Sequence, residues 1–449
     1  MISDKFAVAA MCSITESVLE PELTRLRLTE RGAVRCKKCQ TEDCVVLLRG
    51  KDAYCKSCLI LGVQHKMRAT LGKHKATRPG DRILVGVSGG ENSIALLHLL
   101  KQGIESDHKK LLFVPVVVWI DEGAVLDLDI EQRRKNAAEM REILESYGFS
   151  YHFARLEDYI SGEVVLCDGQ ADLQCDESQS RALHATLSSL KDCTARQELV
   201  VQVRRTVLLG AARLLGCLKI MTAETSSRLA VELLSGVAGG VGAGLPHRVG
   251  FRDSRDTVNI LRPMRELSGK EVYLYCTYHH LRTWHGQEPG PSDTIRRVTQ
   301  EFLFGLQVNF PSTIPTVNRT GDKLTVAEAA SGEDNCCLCE ASLDTETVQH
   351  NALQATLYSS LISAGGSQTQ SPGDTAGDQS GCCGEGDGSC QSRSCSLTME
   401  EVQQSLCYTC RRIFERVKSV ENIPASLREK IKAHVRRRDM RQEISDFLL

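Results

Sequence analysis

From residue 81 onward, compact apolar runs of strand length alternate with longer stretches that carry apolar residues at helical spacing. Ile83–Val87 is β-rich and ends in Ser88-Gly89-Gly90, and a helical apolar pattern follows from Ile94 to Leu100. Leu111–Ile120 is apolar throughout, interrupted only by Pro115, the pattern of a strand covered on both faces. Ile130–Tyr147 is charged and amphipathic and stops at Gly148, so it predicts a helix with a glycine terminator. Tyr151–Ala154 predicts a third strand, Arg196–Leu215 a long helix, Leu218–Thr222 a strand, Ser226–Leu234 a helix and Val258–Leu261 a strand. Alternation at this spacing predicts an α/β fold with a doubly wound parallel sheet.

The pattern also divides the chain. Residues 1–30 read as an extension, 31–80 as a small cysteine-rich module and 81–335 as the α/β unit. Residues 340–399 are rich in Ser, Gly, Gln and Asp and poor in large apolar residues, which predicts a disordered acidic insert. Residues 336–339 and 400–449 then form a split carboxyl-terminal module with a basic tail. Gly236–Gly244 holds five glycines in nine residues and predicts a mobile loop.

The 449 residues, 41% hydrophobic and 25% charged, fit an ordinary globular protein of about three domain-sized units. Leu111–Ile120 is the longest apolar run, and ten residues are too few to cross a bilayer, so no membrane partner is expected. The run Phe6–Cys12 is followed by no clear cleavage site, so no secretory leader is expected; Met11 is a second possible start.

The net charge of −2 conceals a polarity. Arg31–Arg82 carries thirteen Lys or Arg against four acids, Arg411–Leu449 eleven against six, and Glu340–Glu400 eight acids against one Arg. Two basic ends beside cysteine knuckles suit a phosphate-rich partner, although a charge run taken alone is more often a solvated face.

Twenty cysteines in a long chain without a leader point to metal ligands in a reducing compartment, the cytosol. Cys36-x2-Cys39 and Cys55-x2-Cys58, fifteen residues apart, complete a closed tetrahedral four-cysteine zinc site. Cys336-x2-Cys339 and Cys407-x2-Cys410, separated by 67 residues, predict a second, with Cys337 a possible substitute for Cys336 and the acidic insert looped out between. The spacing alone leaves open whether this second pair set forms its own site or joins the first. Cys382, Cys383, Cys390 and Cys395 fall in the insert and are read as free. Cys217 and the group Cys276, His279 and His280 are read as packing residues rather than reactive thiols or ligands.

Ser88-Gly89-Gly90-Glu91-Asn92-Ser93 joins a buried strand to a helix start, a place where backbone N–H groups cradle an anion. It lacks the Gly-Lys-Ser/Thr ending of a Walker loop. The segment resembles the PP-loop of N-type ATP pyrophosphatases, Ser-Gly-Gly-x-Asp-Ser. Asp121-Glu122-Gly123 resembles that superfamily's acidic turn, and Val203-Arg204-Arg205 its Phe-Arg-Arg helix entry. With the amino-terminal four-cysteine ribbon, the split carboxyl-terminal pair and the run His65–Lys73, the chain resembles the cytoplasmic tRNA 2-thiolation protein 2 family.

That resemblance implies a heterodimer with tRNA 2-thiolation protein 1. The complex takes sulfur from a thiocarboxylated ubiquitin-related modifier and places it on the wobble uridine of Lys, Glu and Gln tRNAs. It implies Ser88, Gly89, Gly90, Asn92, Ser93 and Asp121 as a degenerate ATP or pyrophosphate site, with ATP binding weak or lost. The basic charges beside the zinc knuckle make Lys37, Lys38, Lys66, Arg68 and Lys73 the expected tRNA contacts, together with Arg204 and Arg205, and Arg436–Arg438 on a terminal helix are expected to reach the same ligand.

Departures from the superfamily pattern point to a pseudo-enzyme. Asn92 stands where the PP-loop has Asp. No cysteine lies in Gln197–Gln202, Leu281–His285 offers none, and Ala223-Glu224-Thr225-Ser226-Ser227 replaces a metal-poised acidic segment. The competing readings are an active ATP-dependent tRNA sulfurtransferase using Cys193, Cys217 or Cys276, and a zinc-ribbon interaction protein without a nucleotide role.

Overall fold

A computed structural model describes residues 34–48, 52–106, 111–169, 173–242, 244–286, 293–325, 335–343, 397–417 and 419–445. The antiparallel hairpin β1 (Val46–Leu48) and β2 (Asp52–Tyr54) leads into helix α1 (Lys56–Lys73). The main sheet opens with β3 (Arg82–Val87), α2 (Glu91–Glu105), β4 (Val114–Asp121), α3 (Ile130–Glu145) and β5 (Ser150–Arg155). A short helix α4 (Asp158–Ser161) and edge strand β6 (Cys167–Asp168) follow, then α5 (Glu177–Ser189) and the 22-residue α6 (Cys193–Leu214). The second half runs β7 (Lys219–Met221), α7 (Ser226–Ala238), α8 (Leu245–Val249), β8 (Arg252–Asp253), β9 (Asn259–Leu261) and α9 (Gly269–Tyr278). Helices α10 (Ile295–Asn309) and α11 (Thr313–Gly321) pack beside α7. Beyond the insert come α12 (Met399–Gln404), α13 (Tyr408–Phe414) and α14 (Ala425–Ser445).

The strand order is β6-β5-β4-β3-β7-β9-β8, with β5, β4, β3, β7 and β9 parallel and both edges antiparallel. This is the expected doubly wound sheet. The chain winds outward through β4 and β5, then crosses back to β7, so the switch point lies between β3 and β7, where ligands enter such folds at the carboxyl ends of the strands. The two antiparallel edge strands have two residues each, too few to leave a periodic signal.

Alternation along β3 and β4 sorts residues onto the two faces. Leu84, Val116 and Val118 share a core with α5, α6 and the carboxyl-terminal helices. Ile83, Val85, Val117 and Trp119 share the other with α1, α2, α3 and α9. The two cysteine modules thus attach to opposite faces of the sheet: α1 through Val63, Met67 and Leu71, and α14 through Leu427, Ile431 and Val435. The two basic ends therefore belong to modules on opposite sheet faces.

The glycine-rich run is also ordered differently from the expectation. Gly236 lies inside α7, and Gly240 adopts a left-handed φ of 77°. A β-carbon there would lie 2.5 Å from the Tyr408 ring, and the Thr409 hydroxyl donates to the Gly240 carbonyl at 3.0 Å. The glycines let the carboxyl-terminal module approach the backbone closely. The acidic insert and its four cysteines lie almost wholly outside the described residues. Among the described residues no helix is long and apolar enough to cross a membrane.

Candidate metal centres and the degenerate phosphate loop

The predicted cysteine pairs form two separate four-thiol clusters. Cys36 and Cys39 lie in a turn closed by the Gln40 N–H to the Cys36 carbonyl at 2.9 Å, and Cys55 caps α1, its sulfur accepting from the Cys58 N–H at 3.4 Å. In each cluster the four sulfur atoms lie within 4.8 Å of one another. Cys39 and Cys55 are 3.8 Å apart and Cys339 and Cys407 are 3.6 Å apart. A zinc ion about 2.3 Å from each of four tetrahedral sulfurs requires sulfur separations of about 3.8 Å, so both donor sets fit that ion. Hydrogen bonds from Thr41 and the Glu42 amide pull the Cys39 thiol down to about 6, while burial pushes those of Cys55 and Cys58 up. Cys336, not Cys337, joins the second cluster, which is built into the main core beside Leu338, Ile413 and Phe414. Four thiolates fill a tetrahedral ion, so each centre is closed to substrate.

At the carboxyl end of β3 the backbone turns at Gly89, whose φ is 90°, and α2 begins at Glu91. The loop's hydroxyls bond within it. The Ser93 hydroxyl accepts from the Gly89 N–H at 3.1 Å and donates to the Gly90 carbonyl at 2.9 Å, with Ser88 Oγ 3.4 Å away. Asn92 is half-buried and makes no side-chain hydrogen bond among the described residues.

The segment after α9 covers this loop. The Trp284 N–H donates to the Gly89 carbonyl at 2.9 Å. A β-carbon on Gly89 would lie 2.9 Å from the indole and 3.1 Å from the Met140 methyl. The indole meets Trp119 edge-on at 5.8 Å and donates to Glu139 at 3.1 Å, while His285 lies 3.7 Å from Glu91. Nothing in the sequence pattern pairs Trp284 with Gly89.

Asp121 ends β4, the strand beside β3. It is buried and bonded to Arg133 at 2.5 Å, and Arg133 reaches Glu157 at 2.6 Å. Glu122, its neighbour, makes a two-point pair with Arg204 at 2.5 and 2.8 Å, which joins the acidic turn to the Arg-Arg helix. Arg205 points elsewhere, to Glu340 at 2.8 Å and Asp253 at 3.4 Å. Burial opposes ionisation of Asp253, but hydrogen bonds and charge from Arg255, with Arg205 beside them, hold its carboxyl well below the ordinary range.

Of the other cations expected to meet tRNA, Lys38 and Lys73 are exposed and Arg68 is half-buried. Lys37 is exposed but pairs with Asp52 at 2.6 Å. Lys66 is half-buried and pairs with Glu271 at 2.6 Å, the residue that closes the Ser268 capping box of α9. That bond ties the amino-terminal module to the helix leading into Trp284.

The alternative thiols are poorly placed for chemistry. Cys217 is 1% exposed. Cys276 is buried with its sulfur 3.4 Å from the Glu91 carbonyl, and burial pushes its thiol up to about 12. The His279 ring meets those of His98 and Tyr275 at tilted angles, each with centroids 4.6 Å apart. Cys193 is half-buried at the first turn of α6.

Residues 294–412 match the family model described as Cytoplasmic tRNA 2-thiolation protein 2. The chain is 31% identical over 511 residues to the Cytoplasmic tRNA 2-thiolation protein 2 of Xenopus tropicalis, covering 98% of both chains. It is 32% identical over 496 residues to that of Danio rerio, covering 98% of this chain and 99% of the relative. Among solved structures it is similar to the U34-tRNA thiolase NcsA from Methanococcus maripaludis, with a TM-score of 0.52 and 18% identity, covering 70% of this chain and 93% of that one. That likeness is one of fold.

Proposed function

The chain belongs to the cytoplasmic tRNA 2-thiolation protein 2 family, and from that premise we propose that it is the non-catalytic subunit of a cytoplasmic tRNA-thiolating complex. Its partner is tRNA 2-thiolation protein 1, which activates the wobble uridine of Lys, Glu and Gln tRNAs with ATP and delivers the sulfur. The sulfur donor is the thiocarboxylated ubiquitin-related modifier. This chain contributes a scaffold and an RNA-facing surface.

The observation that carries the non-catalytic reading is Trp284 on Gly89. A loop that is to grip a pyrophosphate needs an open approach and free backbone donors. Here an indole covers the glycine, a strap is hydrogen-bonded to its carbonyl, and the Gly89 N–H and Ser93 hydroxyl bond within the loop. Asn92 supplies no charge to organise a metal, and Asp121 is engaged with Arg133. ATP binding is therefore weak or lost. Zinc, held by Cys36, Cys39, Cys55 and Cys58 and by Cys336, Cys339, Cys407 and Cys410, would lock the two modules onto opposite sheet faces. Exposed Lys38 and Lys73, with Lys37 and Arg68 near them, would meet tRNA phosphates.

The test is pyrophosphate release by the isolated chain given ATP and tRNA. No release above background is expected, and sustained turnover overturns the non-catalytic reading.

A further inference from the structure

We infer that the end of α1 and edge strand β8 together form a binding corner for RNA backbone phosphates, built from Lys73, His74 and Arg252 with Arg265 behind them. This deepens the proposed tRNA role and rests on it. No sequence pattern joins these residues, because they come from separate elements that meet only in the fold.

The corner is held rigidly. The His74 imidazole lies flat on the Phe251 ring, with centroids 3.9 Å apart and an interplanar angle of 8°. Phe251 is itself buried in the core that holds α1. His74 closes α1, its N–H bonded to the Thr70 carbonyl at 3.3 Å. Arg252 pairs across the sheet with Leu261, and the Arg262 N–H donates to the Phe251 carbonyl at 3.0 Å.

Two of the charges around it are uncompensated. Lys73 and Arg252 are exposed, and neither makes an ion pair among the described residues. Arg265 is bonded to Asp322. Burial lowers the His74 pKa, and the Lys73, Arg265 and Arg252 charges lower it further, which places all three cations within electrostatic reach of the ring. The neutral imidazole keeps an N–H to donate, and the arginine fork matches a phosphate. Like charges held together by a rigid scaffold are relieved by a polyanion at little ordering cost. Lys75 and Arg78 are also exposed on the segment after α1.

Its position suits the complex. Leu261 pairs with Met221, and Met221 with Val85, so Arg252 sits toward the carboxyl ends of the parallel strands, the edge from which the Ser88–Ser93 loop projects.

The test measures binding of the full chain to an unmodified wobble-uridine tRNA transcript across a salt series. The double variant Lys73→Ala with Arg252→Ala is expected to bind about tenfold more weakly. Its log affinity against log salt should flatten by about 2, roughly 0.9 for each lost phosphate contact. Arg134→Ala, at an exposed position on α3, should leave both unchanged, and circular dichroism should show all variants folded. Unchanged affinity and slope in the double variant overturn the corner while leaving the tRNA role standing, as does an equal loss from Arg134→Ala. If the unaltered chain binds no tRNA, the corner and the tRNA role fall together. Displacement of the transcript by inorganic pyrophosphate at matched ionic strength would assign the site to a free oligophosphate and overturn the RNA reading.

Discussion

The main-chain N–H of Trp284 donates to the carbonyl of Gly89 at 2.9 Å, across the mouth of the only glycine in the loop with a left-handed φ. Gly89 is thereby fixed twice, by its conformation and by the indole on its α-carbon. Gly89→Val should cost roughly 2–5 kcal/mol, from left-handed strain and forced displacement of Trp284. Thermal unfolding of the purified chain measures it, and an unshifted midpoint would mean that the strap does not rest on the glycine.

Asn92 has no side-chain partner among the described residues, so removing it takes nothing from the loop. Asn92→Ala should leave stability and complex-level tRNA thiolation within about twofold of the unaltered chain. A loss comparable to that from removing the partner's PP-loop Asp would return a catalytic role to this loop.

The first four-cysteine cluster ties together segments that have little else to hold them. The first is surrounded mainly by its own hairpin, whereas the second is embedded in the main core. Metal analysis should give two zinc ions per chain. Cys36→Ser or Cys58→Ser should unfold the amino-terminal module first, because an incomplete site loses its folding energy. Protease accessibility near the β1–β2 hairpin reports the loss, and full resistance after chelation would contradict it.

Arg133 lies between Asp121 and Glu157, all three buried. Arg133→Met keeps the volume but leaves two buried carboxylates without a cation, which should destabilise the chain by about 3–5 kcal/mol. Denaturant unfolding measures this. A variant of unchanged stability would show that water, not Arg133, satisfies the pair.

His98 donates to or accepts from Tyr275 at 2.8 Å, and burial, followed by His279 and Lys101, lowers its pKa to about 4. The unfolded imidazole binds a proton near 6.5, so the unfolded state gains protons first as pH falls. Stability from neutral His98 is complete above pH 6.5 and is lost as pH falls toward 4. His98→Gln should flatten the melting temperature across that window, and an equally steep profile would assign the slope to other groups.

Much of the architecture was legible because its elements are long or strongly patterned. Leu111–Ile120 could only be a covered strand, and Ser88-Gly89-Gly90 between a strand and a helix marked the switch-point loop. Cysteine spacing gave both clusters, since two close thiols in a turn have few other uses. What the sequence hid were relations between distant segments: Trp284 on Gly89, Arg204 on Glu122, and Lys66 on Glu271. Counting charges found two basic ends but could not place them on opposite sheet faces. The glycines at 236–244 read as freedom, whereas the fold uses Gly240 to admit Tyr408.

The most direct measurement is tRNA thiolation by the reconstituted complex, with ATP and the thiocarboxylated modifier, in a crossed set of variants. The unaltered chain with its unaltered partner should thiolate the wobble uridine, and either subunit alone should fail. Replacing the partner's PP-loop Asp should abolish thiolation, while Asn92→Ala in this chain should leave it near normal. Thiolation by this chain alone, or its abolition by Asn92→Ala, would contradict the account.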